Sequence, residues 1–246
     1  MGQPLPGTRG RRRVYLMRHG EVSYYDHAGE AVAEPDLVQL TETGERQADA
    51  AAALLAEVPL DRAVCTGMPR TIATAQRVLR ARPLDLEVNE ALREIRAGDM
   101  SGLSREEVRA RFLRGMDHVA VPGARFGNGE PFQDFHDRVV PAFQTLLREP
   151  GWTRLLLVAH EGTNRMLLSW ASQGGLPAAA GFEQDPGCVN IIDVDLEEGE
   201  INRRFIKASN LTPSGYAKIG NYMTALEQVA EHGRQRRRAA RERNSG

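Results

Sequence analysis

Leu155-Leu156-Leu157-Val158-Ala159-His160-Glu161-Gly162 reads as a strand that runs into a loop and then a helix continuing through Trp170. Five apolar residues in a row show no alternation, so the strand has no solvent face and is buried on both sides. Val14-Tyr15-Leu16-Met17 is a shorter run of the same kind, ending in Arg18-His19-Gly20. Asp61 to Cys65 and Leu84 to Val88 read as further short strands. Helical patterns cover Thr41 to Val58, where Thr43 can cap and Glu45 follows, then Thr71 to Arg80 and a piece near Ser104 to Arg114. From Phe132 to Arg148 the apolar stripe Phe132, Phe135, Val139, Val140 and Phe143 predicts an amphipathic helix with a kink at Pro141. Val189 to Val194 and Ile201 to Ile206 bracket Glu197-Glu198-Gly199 as a hairpin. Strands alternating with helices specify an α/β fold with a largely parallel sheet.

Around this frame the composition is ordinary for a globular chain: 41% hydrophobic, 26% charged, net charge -1. Nothing in that balance draws the protein to nucleic acid or to an anionic membrane. No segment approaches the roughly 18 apolar residues of a membrane span. Arg11-Arg12-Arg13, followed only by Val14 to Met17, has no signal-peptide apolar region. Cys65 and Cys188 are too few for a disulfide scaffold and lack metal-ligand spacing, so both are expected to be free buried thiols, and the location cytoplasmic. Residues 1–12 are expected to be disordered, 13–231 to form one domain, and 232–246 to be a disordered basic tail. That tail holds Arg234, Arg236, Arg237, Arg238, Arg241 and Arg243; a solvated, frayed helix end is the plain reading, nucleic-acid or partner binding the other.

The chemistry gathers at strand ends. In an open parallel sheet the carboxyl ends of the strands form the ligand crevice. Arg18 and His19 follow the first strand, Arg70 the second and His160 the late one. If those strands are neighbours, two guanidinium groups and two imidazoles converge, which mutual repulsion opposes and a bound dianion rewards. A phosphate monoester is such a dianion, and arginine's paired donors match its oxygens. Gly20 and Gly162 would let backbone approach the ligand.

Leu16-Met17-Arg18-His19-Gly20-Glu21 resembles the signature of the histidine phosphatase superfamily, the phosphoglycerate mutase-like group (branch 1). Leu40 to Ala48 resembles the next block of that family. Thr66-Gly67-Met68-Pro69-Arg70 resembles the segment with its second phosphate-binding arginine. Leu92-Arg93-Glu94 resembles the proton-donor segment, and Val158 to Gly162 the one with the second histidine. The blocks follow the family order from residue 14 to about 170. The resemblance implies a three-layer sandwich, with a mostly parallel central sheet flanked by helices. It also implies catalytic roles for His19 as nucleophile, Glu94 as proton donor and His160 as phosphoryl ligand. The substrate phosphate would meet Arg18, Arg70, Gly20, Thr66 and Glu161. Neither cofactor nor metal is expected. A neutral imidazole with a pKa near about 6.5 is a competent nucleophile at pH 7.

Some positions depart from the family pattern. Tyr25 stands where many members carry a phosphate-touching asparagine, and Thr66-Gly67 where Ser-Pro is common. Glu161 follows the second histidine and competes with Glu94 as donor, because the acid-phosphatase branch has its carboxylate there; Glu94 among arginines could instead form a salt bridge. The expected activity is hydrolysis of a small-molecule phosphate monoester through a phosphohistidine. Phosphoglycerate mutase-type transfer and a non-catalytic phosphate-ligand module are the alternatives; the Trp-Asn and Thr-Gly-Trp motifs of the mutases are missing after Glu21. The expected partner is a small phosphorylated substrate, with no membrane and no nucleic acid, and with room for a homodimer. Selectivity is assigned to residues 96–131, where Arg96, Arg105, Arg109 and Arg125 could meet a second anionic group, and to Tyr24, Tyr25 and Phe126. His27, His118, His136 and His232 have no motif context.

Overall fold

The computed structural model describes residues 5–244. Among these, β1 (Arg11–Arg18), β2 (Arg62–Cys65), β3 (Leu86–Val88), β4 (Arg154–Ala159), β5 (Val189–Glu197) and β6 (Glu200–Leu211) form one sheet in the order β3-β2-β4-β1-β5-β6. The first four in that order are parallel, and the β5–β6 hairpin joins β1 antiparallel. The helices are α1 (Glu42–Leu54), α2 (Pro69–Leu79), short α3 (Arg105–Val108), α4 (Phe132–Arg148), α5 (Glu161–Ser172) and α6 (Ala225–Asn244).

The uninterrupted apolar strands do what their pattern demands. Val14, Leu16, Leu155 and Leu157 pack under α4 and α5, while Tyr15, Met17, Leu156 and Val158 pack under α1 and α2. Alternate side chains of one strand thus feed two cores, and helices on both faces make three layers. Each fully buried Leu or Val contributes about 1.5–3 kcal/mol.

Several boundaries differ from the sequence reading for identifiable reasons. The cap of α1 is Thr41, whose Oγ1 accepts from Gly44 N at 3.1 Å; Thr43 lies too late and takes Arg46 instead. The helix stops at Leu54 because Pro59 is near and Arg82 collects the carbonyls of Leu55, Ala56 and Val58. The helix expected over Ser104 to Arg114 is α-helical only through Val108 and π-helical over Arg109–Leu113. Expected disorder at 1–12 does not extend to Arg11 and Arg12, which open β1; residues 1–4 lie outside the described residues. Arg11 pairs across the sheet with Asp195 and Arg13 with Asp193, each through two hydrogen bonds, so charged residues extend an apolar strand.

The largest correction concerns the basic tail. Residues 225–244 form one helix; residues 245–246 lie outside the described residues. The α6 helix docks on the segment 25–29: Arg236 donates to the carbonyls of Tyr25 (3.1 Å) and Asp26 (3.0 Å), Arg237 to Gly29 (2.9 Å) and Arg243 to His27 (3.0 Å). Gly233 admits the Tyr25 ring, since a Cβ there would lie 2.6 Å from it. Cationic side chains meeting backbone carbonyls hold this helix, so its scarcity of apolar residues does not free it.

Candidate active site

Strand register brings the chemical groups together. Met17 of β1 and Cys65 of β2 both lie opposite Val158 of β4. The residues that follow, Arg18 and His19, Thr66, and His160, therefore leave the sheet side by side at its carboxyl edge. Arg70 joins from the first turn of α2. The ring centroids of His19 and His160 are 5.3 Å apart. All four groups are nearly enclosed: Arg18 is 5%, His19 3%, Arg70 3% and His160 0% exposed.

The geometry fixes tautomers. His19 Nδ1 lies 2.7 Å from the Gly20 carbonyl, which has only acceptor capacity, so Nδ1 carries the proton and Nε2 keeps a lone pair. Burial, then Arg70 and Arg18, hold the His19 pKa well below 6.5, so the ring is held neutral, with a lone pair on Nε2. Thr71 donates to the Met68 carbonyl at 2.8 Å, Thr66 Oγ1 lies 3.1 Å from Thr71 Oγ1, and His160 Nε2 lies 2.7 Å from Thr66 Oγ1. In that chain His160 Nε2 is the donor, which orients Nδ1 away from it. Burial, then Arg70, His19 and Arg18, depress the His160 pKa too. An incoming dianion reverses that field and favours protonation of Nδ1.

Buried nitrogens without a protein partner mark where an anion belongs: Arg18 Nε, Arg70 Nε and His160 Nδ1. Arg18 is anchored by the Gln184 carbonyl at 2.6 Å. Arg70 is anchored by the carbonyls of Pro35 (3.2 Å) and Asp36 (3.4 Å).

The two competing carboxyls sit differently. Glu161 faces cations: Oε1 accepts from Arg165 at 3.0 Å and Oε2 lies 3.6 Å from Arg18. Glu94 faces no cation directly. Its Oε1 accepts from Ile95 N (2.9 Å) and Thr163 N (3.2 Å), and its Oε2 from Gly162 N (3.0 Å). Burial raises the Glu94 pKa, and Glu161 adds to this against the pull of the backbone donors. A carboxyl held toward its protonated form is the better acid, while one clamped between guanidiniums is the better positioner.

Other expectations shift. Gly20 N donates to Thr74 Oγ1 at 3.1 Å, and a Cβ on Gly20 would lie 2.3 Å from the Gly44 carbonyl. This glycine is required for backbone packing against α1. Gly162 N is likewise engaged by Glu94. Phe126 belongs to the core, Arg96 pairs with Glu130 and Arg125 with the Gly129 carbonyl. None of these, nor Arg109, lines the cavity beside His19. Tyr24 does, near enough to Arg70, Arg18, Glu94 and Glu161 to feel each of them. Tyr25, Gln228 and His232 line it as well. Sequence reasoning singled out neither Gln228 nor Gln184 and left His232 without motif context, since none sits in a motif or at a strand end. Cys65 and Cys188 are free and buried, and burial pushes the Cys188 thiol up to about 12. Among the described residues no His, Cys, Asp or Glu group is disposed to hold a metal, and no helix is long and apolar enough to cross a membrane.

Residues 14–207 match the model of the histidine phosphatase superfamily (branch 1). The adenosylcobalamin/alpha-ribazole phosphatase of Salmonella typhimurium is 31% identical over 196 residues, covering 74% of this chain and 90% of that protein. A Salmonella choleraesuis protein named as a probable phosphoglycerate mutase is 30% identical over 195 residues, covering 76% of this chain and 86% of that one. The crystal structure of the alpha-ribazole phosphatase from Shigella flexneri superposes with a TM-score of 0.62 at 26% identity, covering 80% of this chain and 96% of that one.

Proposed function

The chain belongs to the histidine phosphatase superfamily, branch 1, and on that footing we propose that it hydrolyses a small-molecule phosphate monoester through a phosphohistidine on His19. The observation that carries this reading is the pinned His19 ring, with its Nε2 lone pair beside the unpartnered nitrogens of Arg18, Arg70 and His160. In the first step Nε2 attacks phosphorus in line and the bond to the leaving oxygen breaks, while Glu94 gives that oxygen its proton. Arg18, Arg70 and His160 Nδ1–H hold the non-bridging oxygens as charge redistributes. Thr66 positions His160, and Glu161 positions Arg18. In the second step water attacks the phosphohistidine, Glu94 takes a proton from it, and inorganic phosphate leaves as the His19–phosphorus bond breaks.

Hydrolysis rather than mutase transfer is favoured because no mutase motif follows Glu21, and because among the described residues the one lysine or arginine lining the outer cleft, Lys218, is already bonded to Asp185 rather than free for a phosphoglycerate carboxylate. A cytoplasmic setting belongs to this reading, supported by the two free buried thiols. The deciding experiment measures inorganic phosphate release from a panel of phosphorylated metabolites and traps an acid-labile, base-stable phosphoenzyme. Both should be present in the wild type and absent in His19→Ala. A His19→Ala protein with near-normal turnover would overturn the assignment.

A further inference from the structure

Helix α6 lies outside the residues that the family model matches, 14–207, yet it stands over the site. A cavity of about 50 Å³ lies beside Arg18 and His19, and Gln228, Val229 and His232 of α6 form part of its wall. A wider cleft of about 390 Å³ shares Glu21, Pro186 and Gln228 with it. The inner cavity suits little beyond a phosphoryl group; the outer one falls within the roughly 300–1,000 Å³ of small-ligand sites.

The outer cleft has a definite chemistry. Tyr216 and Ile219 offer apolar surface, while Gln47, Asn221 and Gln228 offer amides. Gln228 Nε2 is bonded to Asn221 Oδ1 (2.9 Å) and the Met223 carbonyl (3.0 Å), so its Oε1 is the atom left to accept a hydroxyl proton. Among the described residues lining the two cavities, Arg18 and Lys218 are the only arginine or lysine. Arg18 belongs to the phosphate site, and Lys218 is bonded to Asp185 and to the Asn210 carbonyl. A leaving group carrying a carboxylate would meet Glu21 and find Lys218 already engaged by Asp185, so it would gain no ion pair to offset its desolvation. A neutral polyhydroxylated ring would meet amide acceptors and an aromatic face.

We propose that α6 completes the substrate site, with Gln228, which lines both cavities, as a specificity-determining residue for a leaving alcohol that is a neutral polyhydroxylated ring, such as a sugar. The inference rests on the phosphatase reading above. The guanidinium contacts of Arg236, Arg237 and Arg243 with segment 25–29, and the bond from Ala225 N to Glu183 Oε1 at 2.8 Å, hold the helix in register for this role.

The test compares kcat/KM of the full-length wild type and Gln228→Ala on glucose 6-phosphate, ribose 5-phosphate, 3-phosphoglycerate and p-nitrophenyl phosphate. The wild type should favour one of the sugar phosphates over 3-phosphoglycerate by at least about tenfold. The substitution should lower the ratio of sugar phosphate to p-nitrophenyl phosphate roughly 3- to 10-fold, the loss of one hydrogen bond, mainly through KM. Dividing by the p-nitrophenyl rate removes any general loss from misfolding. Preference for 3-phosphoglycerate, or a ratio unchanged in Gln228→Ala, overturns the proposal. A wild type that releases phosphate from none of the four sinks the phosphatase reading instead. Equilibrium dialysis of glucose 6-phosphate then decides the role of α6: weaker binding by Gln228→Ala supports it, equal binding overturns it.

Discussion

Glu94→Gln separates proton donation from structure, because the substitution keeps the side-chain volume and removes the proton. Three backbone N–H groups converge on this carboxyl, those of Ile95 and Thr163 on Oε1 and that of Gly162 on Oε2. Glutamine has a single oxygen, so at least one N–H would face an amide NH₂. An unmet buried donor costs about 1–3 kcal/mol, and each kcal/mol lowers Tm by roughly 2–4 °C in a chain of this size. That cost falls on every substrate alike. The missing proton does not, since an alkoxide must be protonated as it leaves while p-nitrophenolate leaves almost unaided. We expect kcat/KM to fall roughly 10²–10⁴-fold on an alkyl phosphate and far less on p-nitrophenyl phosphate.

The partner experiment is Glu161→Gln. Glu161 reaches Arg165 at 3.0 Å and Arg18 at 3.6 Å, so its loss should loosen Arg18 and lower both substrates in proportion. Steady-state kinetics on the two phosphates, with melting curves for all three proteins, complete the measurement. If Glu161→Gln shows the leaving-group dependence and Glu94→Gln does not, the donor is Glu161 and the mechanism above is wrong.

Burial and two guanidiniums hold His19 well below 6.5, so rapid-quench phosphoenzyme formation should stay level as pH falls through 6.5 and drop only well below it; an inflection at or above 6.5 contradicts a neutral nucleophile. The same depression means that stability is present above 6.5 and declines as pH falls below it, because the unfolded chain binds protons that the folded site refuses, as pH-dependent chemical denaturation can check. Gly44→Ala puts a Cβ 2.1 Å from the Glu21 carbonyl, and the overpacking should cost about 1–3 kcal/mol or more, visible as a lower Tm; an unchanged Tm would refute the tight approach of α1 to the signature loop. Chelation with EDTA should leave turnover intact, since Arg and His supply the charge of the site; loss restored by added metal would require a different mechanism.

Burial on both faces wrote the central strands into the sequence as unbroken apolar runs, because every residue of Leu155 to Ala159 has a core neighbour. The groups of the proposed phosphate site were legible for a related reason: Arg18, His19 and His160 follow such runs directly, so locating the strand locates the residue. The choice between Glu94 and Glu161 was not local. It depends on α5 turning its first N–H groups onto Glu94, 68 residues earlier, while Glu161 on that same helix meets Arg165 and Arg18. The docking of α6 lay further still beyond reach. Arg236 meets Asp26 across 210 residues through a backbone carbonyl, and a carbonyl acceptor requires no particular residue type. No periodicity or composition records such a bond, so a run of arginines reads the same whether it is solvated or clamped across an active site. Only the folded chain, by bringing segment 25–29 beneath residues 225–244, decided which.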